Sequence, residues 1–402
     1  MHILLVADGR SPITRSWLRM LSGLKYRVSL ISTYPCESIS GLEDQFTLPL
    51  AFASMSGSQV AAGGSRNQTW VRGWVARLRP LLLRVRALAA PLSLGRFRAE
   101  YLRLLEQLKP DIVHALRIPF EGMLAAATPP GIPLILSIWG NDLTFHARTS
   151  FLMARQTRKA LRRVDGLLAD AGRDLRLAQN WGLRAGVPAL VLPGSGGLDL
   201  DEINRTITLH IEQPYRLPQE RALVVNPRGF RPGSVHQDVF FRCLPKVLAE
   251  FPQAYFVCTA MQNQPQAQKW VSEYHLENHV LLLPYLNQQQ LWQLFSRSQV
   301  YVSLSSHDGT PNTFLEAMAC GCFPVVGDIE SLREWLENGR NGLLVDPRDA
   351  DAAADAILRA LRHPELRQRA RQGNIQILKE RAELNRVRAQ AGEFYRSLMP
   401  LS

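Results

Sequence analysis

Short β-rich apolar runs alternate with longer helical stretches along most of the chain, and this rhythm starts twice. Parallel neighbours need long crossovers, so such alternation demands parallel sheets covered by helices on both faces. In the first half the strand candidates are His2–Ala7, Arg27–Ser32, Asp111–Ala115, Pro133–Ile138, Gly166–Ala169 and Val187–Leu192. Helices are predicted over Pro12–Leu24, Arg148–Arg163 and Gly172–Trp181. Pro193–Gln219 has few long apolar runs and several turn residues, and reads as a linker. The rhythm resumes with strands over Ala222–Asn226, Ala254–Thr259, Val280–Leu283, Gln299–Leu304, Phe323–Val326 and Leu343–Val345. Helices between them cover Asp238–Glu250, Gln264–His275, Gln288–Ser298, Thr313–Ala319 and Ser331–Glu337, followed by Asp349–Arg362 and a long helical tail.

The fold class is therefore α/β, with two facing Rossmann-like domains. A length of 402 residues suits two domains, each large enough to bury its own core. The expected boundaries are residues 1–205, a linker over 206–219, a second domain over 220–375 and a helical segment over 376–402. In such sheets ligands bind beyond the carboxyl ends of the strands, so strand-end residues are the candidates for chemistry.

Five cysteines, an odd and scattered set, make a poor disulfide framework. The pair Cys320 and Cys322 lacks the further ligands a zinc site needs and reads as small buried residues beside a helix. The first apolar run stops at Asp8, without the basic start and cleavage site of a secretion signal. No stretch reaches the ~18–20 apolar residues of a spanning helix. The expected location is cytoplasmic, with the inner face of the cell membrane as a docking surface.

Lys+Arg outnumber Asp+Glu by 12, which favours an anionic partner. Between Arg66 and Arg103 lie nine arginines and one acid. Wound as a helix, Trp70–Leu88 places Trp70 and Trp74 with Leu78, Leu81 and Leu82 on one arc. Arg72, Arg77, Arg79, Arg84 and Arg86 fall opposite, and Pro80 interrupts the winding. This pattern suits an anionic membrane surface; a surface helix packed on the domain core is the plainer alternative. Nucleic acid is not expected, because no helix-turn-helix, zinc-finger or RNA-recognition signature accompanies the charge.

The most informative stretch runs from Ser303 to Gly321. An apolar strand ends, the loop Asp308-Gly309-Thr310-Pro311-Asn312 follows, and a helix starts near Thr313. Helix N-terminal N–H groups attract anions, and the carboxylates Asp308 and Glu316, eight apart, can accept hydrogen bonds from sugar or ribose hydroxyls. The rival explanation is local: Thr313-x-x-Glu316 fits a capping box and Asp308-Gly309 a turn.

This stretch resembles the E-x7-E signature of glycosyltransferase family 4, retaining enzymes of the group 1 type with the GT-B fold, written here Asp308-x7-Glu316. Asp111-Ile112-Val113-His114, the turn Pro193–Asp199 and the run Gly339–Val345 resemble further family segments in the same order, whereas residues 51–108 match little. The resemblance implies a donor-binding second domain, an acceptor-binding first domain, an interdomain cleft and a C-terminal segment that packs back on the first domain. Glu316 would bind the nucleotide ribose, and Asp308 with Gly309, Thr310, Pro311, Asn312 and Thr313 the donor sugar and diphosphate. Arg228 matches the family's phosphate-binding arginine; the lysine about five residues later is missing, since position 233 is Gly. Arg231 is the candidate replacement, His236 a weaker one. Asp308 in place of the first Glu is a second departure.

Acceptor candidates are Gly9 after the first strand, His114 at a strand end, and Asp142 in the turn Trp139-Gly140-Asn141-Asp142. Each also has a structural reading, a hydrogen-bonded histidine and a helix cap among them. Asp199-Leu200-Asp201 imitates a metal-binding D-x-D, but capping explains it better, and no metal or other cofactor is expected. The expected activity is a retaining, metal-independent hexosyl transfer from a nucleotide-diphosphate sugar to an acceptor hydroxyl, on a glycan or lipid-linked molecule. Arg228, Asp308, Glu316 and Asp142 are the candidate catalytic set. Two alternatives stand beside it: a GT-B protein that binds nucleotide-sugar or lipid without transfer, and a nucleotide-sugar epimerase.

Overall fold

The computed structural model describes residues 1–50, 94–209 and 211–399. The chain divides into two compact units: Met1–Gly196 with Arg388–Ser402, and Gly197–Val387. The first break lies at Gly196, not near residue 205, and the C-terminal segment is shared. Its residues from Arg388 onward belong to the first unit, and those before it to the second.

In the first unit the order is β1 (His2–Ala7), α1 (Pro12–Ser22), β2 (Arg27–Ser32), β3 (Gln45–Thr47), α2 (94–108), β4 (Ile112–Ala115), α3 (Met123–Ala125), β5 (Leu134–Ile138), α4 (Phe151–Arg163), β6 (Gly166–Ala169), α5 (Gly172–Asn180) and β7 (Ala189–Val191). The strands form one parallel sheet, β3-β2-β1-β4-β5-β6-β7. Its strands are continuous apolar runs because both faces are covered. Leu4, Val6, Val113, Leu134 and Leu136 pack with Tyr101 and Leu104 of α2. Each such buried side chain contributes roughly 1.5–3 kcal/mol. Trp17 of α1 and Tyr395 are also fully buried, and the Trp17 indole donates to the Tyr395 hydroxyl at 3.2 Å.

The second unit begins with α6 (Leu200–Thr208), a helix inside the stretch expected to be a linker. Asp199 caps it by accepting from the Glu202 N–H at 2.8 Å. There follow β8 (Ala222–Asn226), α7 (Gln237–Glu250), β9 (Ala254–Cys258), α8 (Pro265–Glu273), β10 (Val280–Leu282), α9 (Gln288–Arg297), β11 (Val300–Ser303), α10 (Asn312–Ala319), β12 (Phe323–Gly327), α11 (Glu330–Arg333), β13 (Leu343–Val345), α12 (Ala350–Arg362) and α13 (Pro364–Arg381); α14 (Leu384–Ser397) starts in this unit and belongs to the first from Arg388 onward. This sheet is also all parallel, in the order β10-β9-β8-β11-β12-β13. Val224, Phe256, Val302 and Val325 form its core with Phe240, Leu244 and Ile357.

Each sheet has a switch point where strand order reverses: between β1 and β4 in the first, between β8 and β11 in the second. Loops leaving such a pair in opposite directions open a crevice at the carboxyl edge. Among the described residues no helix is long and apolar enough to cross a membrane, and no group of three or more His, Cys, Asp or Glu is placed to hold a metal ion. Cys320 and Cys322 are buried free thiols.

Candidate active site

At the second switch point two loops are stitched together. The loop after β8 runs Pro227–Ser234 and turns twice through positive φ, at Gly229 (60°) and Gly233 (80°). Asn226 donates its amide to Gln237 Oε1 at 2.7 Å, and Gln237 donates to the Gly229 carbonyl at 2.7 Å, which fixes the first turn. The loop after β11 joins it through an antiparallel bridge between Val235 and Ser305, with the Ser306 N–H donating to the Ser234 carbonyl at 2.9 Å.

This scaffold brings together residues 80 apart in sequence. Arg228 Nη2 donates to Asp308 Oδ2, and Arg228 Nη1 reaches Thr313 Oγ1 at 3.4 Å. Tyr301 OH lies 3.3 Å from the same Thr313 oxygen. Arg228 is buried, and its Nε has no hydrogen-bond partner among the described residues. A buried guanidinium donor without an acceptor costs about 1–3 kcal/mol, a penalty that an incoming anionic oxygen relieves. Arg231 sits beside it at the surface, its Nε donating to the Arg228 carbonyl at 3.2 Å. The neighbouring positive charge of Arg228, more than burial, pushes the Arg231 guanidinium down to about 10.

Asp308 and Thr310 are held from the segment after β12, by α11 and the turn that follows it. Ser331 Oγ donates to the Asp308 carbonyl at 2.9 Å, and the Trp335 indole N–H to Thr310 Oγ1 at 3.0 Å. Gly309 donates its N–H to Asp308 Oδ1 at 3.1 Å. Helix α10 starts at Asn312 with Pro311 as its N-cap residue and no side-chain cap. The capping box of Thr313 and Glu316 is therefore not formed. Thr313 faces Arg228 and Tyr301, and Glu316 Oε1 accepts from Gln288 Nε2 of α9 at 2.9 Å. Phe314 and Leu315 N–H groups close on Pro311, leaving the Asn312 and Thr313 N–H groups outside the helical ladder. His236 is occupied with Ser306, its Nε2 lying 3.0 Å from the hydroxyl oxygen.

The acceptor candidates of the first unit fare differently. His114 is fully buried, with Nδ1 2.7 Å from Tyr395 OH and Nε2 2.8 Å from Ser137 Oγ. Burial pushes its imidazole down to about 3, so it is a neutral core residue and not an acceptor contact. Asp142 is likewise buried and spent. It accepts from Arg117 Nη2 at 2.8 Å, from the Ile118 N–H at 3.0 Å and from the Trp139 N–H at 3.3 Å. It pins the loops after β4 and β5, and at 1% exposure it is placed as a positioning residue. Gly9 gives its N–H to Ser32 Oγ at 3.0 Å, and a Cβ there would lie 2.4 Å from Cys36 Sγ. Close packing explains that glycine.

What the first switch point does present is Arg10, Arg117 and Glu121, none of them singled out from sequence. Arg10 pairs with Asp8 at 3.0 Å and lies over the Tyr34 ring at 3.7 Å. Glu121 follows Phe120, whose backbone is held at φ 68°, and accepts from Thr33 Oγ1 at 3.0 Å. Burial raises its carboxyl to about 7 against the pull of Arg117. Gln288, Ser331 and Trp335 escaped notice as well, because nothing in the local sequence links them to residues some 20 to 30 positions away. The membrane candidates Trp70, Trp74, Arg77, Arg79, Arg84 and Arg86 lie outside the described residues.

Comparison with known proteins meets this geometry at both sheets. Residues 8–194 match the glycosyl transferase 4-like domain, and residues 215–376 match the glycosyl transferases group 1 family. Over 255 residues the chain is 25% identical to the GDP-mannose:cellobiosyl-diphosphopolyprenol alpha-mannosyltransferase of Xanthomonas campestris, a match covering 61% of this chain and 63% of that protein. The chain thus spans less than two thirds of that relative's length. Among solved structures, HepE of Anabaena in complex with UDP shares the fold with a TM-score of 0.69 at 16% identity, over 99% of this chain and 100% of that one. Sucrose-phosphate synthase of Thermosynechococcus elongatus does so with a TM-score of 0.71 at 15% identity, over 99% of both chains. With one family domain matched to each parallel sheet, the chain belongs to the group 1 glycosyltransferases of family 4, enzymes of the GT-B fold.

Proposed function

We propose that the protein transfers a hexosyl group, with retention of configuration and without a metal, from a nucleotide-diphosphate sugar to a hydroxyl of a lipid-linked or membrane-associated glycan. The observation that carries this reading is the buried Arg228, bridging Asp308 and Thr313 with an unpartnered Nε at the start of α10. A guanidinium and helix N-terminal N–H groups suit a diphosphate, and they gain strength where charge develops as the glycosidic bond breaks. In this reading the acceptor hydroxyl oxygen attacks the anomeric carbon on the face that the diphosphate leaves. The bond from that carbon to the phosphate oxygen breaks, and the hydroxyl proton passes to the departing phosphate. Glu316 holds the ribose and Asp308 a sugar hydroxyl, while Arg228 and Arg231 stabilise the leaving group. The mannosyltransferase relative, whose name specifies a diphosphopolyprenol-linked acceptor, supports the lipid-linked class, and HepE with UDP supports the donor class. An anionic membrane surface engaged by Trp70–Leu88 at the inner face of the cell membrane completes the proposal.

Turnover of radiolabelled nucleotide-sugars by wild type, Arg228→Ala and Glu316→Gln tests it. Loss of one transition-state donor costs on the order of 10²–10³ in rate. We expect that loss for Arg228→Ala and a raised donor KM for Glu316→Gln; equal turnover in all three removes both residues from the site. The alternative of binding without transfer draws on Gly233, which fills a positive-φ turn where the family's lysine would stand. A nucleoside diphosphate that raises the melting point while no acceptor yields product would favour it.

A further inference from the structure

Helix α4 divides sharply by chemistry. Met153, Thr157, Ala160 and Leu161 are buried against the first unit's core. At ~100° per residue, Phe151, Arg155, Arg158, Lys159 and Arg162 share an arc of about 100° on the opposite side, and all five are exposed. No acid occurs between Phe151 and Arg163, and no ion pair neutralises these four cations among the described residues. Phe151 is 75% exposed, and Phe145, in the turn leading into the helix, is 40% exposed. Two of the four large hydrophobic side chains exposed among the described residues therefore belong to the start of this helix and the turn before it.

A solvated charged face needs no phenyl rings in water, and a packing interface would not carry four cations without a carboxylate beside them; Arg158 lies over the Trp181 ring at 4.9 Å, and none of the four meets an acid among the described residues. Aromatic residues beside a basic row suit the lipid–water interface, where rings enter the acyl boundary and cations meet headgroups. A depression of about 690 Å³ runs along this face, lined by Phe151 and the four cations; Phe151 is its one aromatic lining residue, whereas single-stranded nucleic acid is held where several aromatic rings stack successive bases. We propose that the outer face of α4, with Phe145 and Phe151 at its leading end, docks the first unit on an anionic lipid bilayer. This surface is distinct from Trp70–Leu88 and does not depend on the donor-site reading.

The test is co-sedimentation of the full chain with phosphatidylcholine vesicles, with and without phosphatidylglycerol. Each cation near an anionic leaflet is worth about fivefold in partitioning. The variant R155Q/R158Q/K159Q/R162Q should lose several hundredfold in binding to anionic vesicles. Gln is a good helix former, and an unchanged melting point confirms that the variant folds. The milder R155Q/K159Q should lose about 25-fold, and Phe151→Ser should weaken binding even in high salt. The variant R77Q/R79Q/R84Q/R86Q runs beside them: if it alone loses binding, the α4 proposal falls. Equal binding of wild type to neutral vesicles overturns it too, as does binding to a single-stranded oligonucleotide with indifference to vesicles.

Discussion

Glu121 and His114 carry opposite pH signatures within the first unit. Burial raises the Glu121 carboxyl from about 4.5 to about 7, so between these values the folded chain binds more protons than the unfolded one. Stability then falls as pH rises through this window and the full cost is in place above it. His114 is depressed to about 3 by burial, so its contribution is whole above pH 6.5 and lost as pH falls toward 3. Replacing Glu121 by Gln keeps an acceptor for Thr33 and removes the first effect alone. The stability gap between Glu121→Gln and wild type should open between pH 4.5 and 7 and reach roughly 3 kcal/mol at pH 8, at ~1.4 kcal/mol per pKa unit. Urea unfolding at pH 5, 6 and 8 measures it; a gap that stays constant would place Glu121 outside the buried cluster. These two residues also mark where sequence reading stops. Asp308 and Arg228 follow strands at recognisable spacings and do meet across one loop pair, while Glu316, inside α10, is met by Gln288 of α9. His114 occupies an equally suggestive strand end, yet its fate is decided by Tyr395, 281 positions away.

At the scale of the element, α9 shows how a cap far from the loops can set a contact at the site. Asn287 accepts from the Gln290 N–H at 2.9 Å, and Gln290 Oε1 accepts from the Asn287 N–H at 3.1 Å. The next residue, Gln288, reaches Glu316. Asn287→Ala should cost about 1 kcal/mol and fray that first turn. The expected result is a higher donor KM with little change in kcat, restored by Asn287→Asp; steady-state kinetics and a melting curve decide it. Most elements were legible for a reason of the same kind. Strands buried on both faces read as continuous apolar runs, as Ile3-Leu4-Leu5-Val6 does. The edge strand β3, Gln45–Thr47, is three residues long and never fully buried, so no periodicity announces it. Helix α6 looks like linker in the sequence because its apolar positions are few, although the capping role of Asp199 is visible there.

For the whole molecule, the decisive contacts join the chain's two extremes. Tyr395 OH lies 2.7 Å from His114 Nδ1 and accepts from Trp17 Nε1 at 3.2 Å, all within the first unit. Tyr395→Phe would leave both nitrogens buried without a partner, at about 1–3 kcal/mol each. Calorimetry should show the first unit's transition lowered while the shift induced by a nucleoside diphosphate in the second unit persists. Length foretold two domains; it held no trace of a boundary crossed twice, at Gly196 and again at Val387. That double crossing has a price in time. Tyr395 is translated about two hundred residues after β7, the last strand of the sheet it seals. A chain growing from its N-terminus therefore has no Tyr395 to offer Trp17 and His114 until the second unit has been translated, so these two nitrogens meet their partner only after that unit is made.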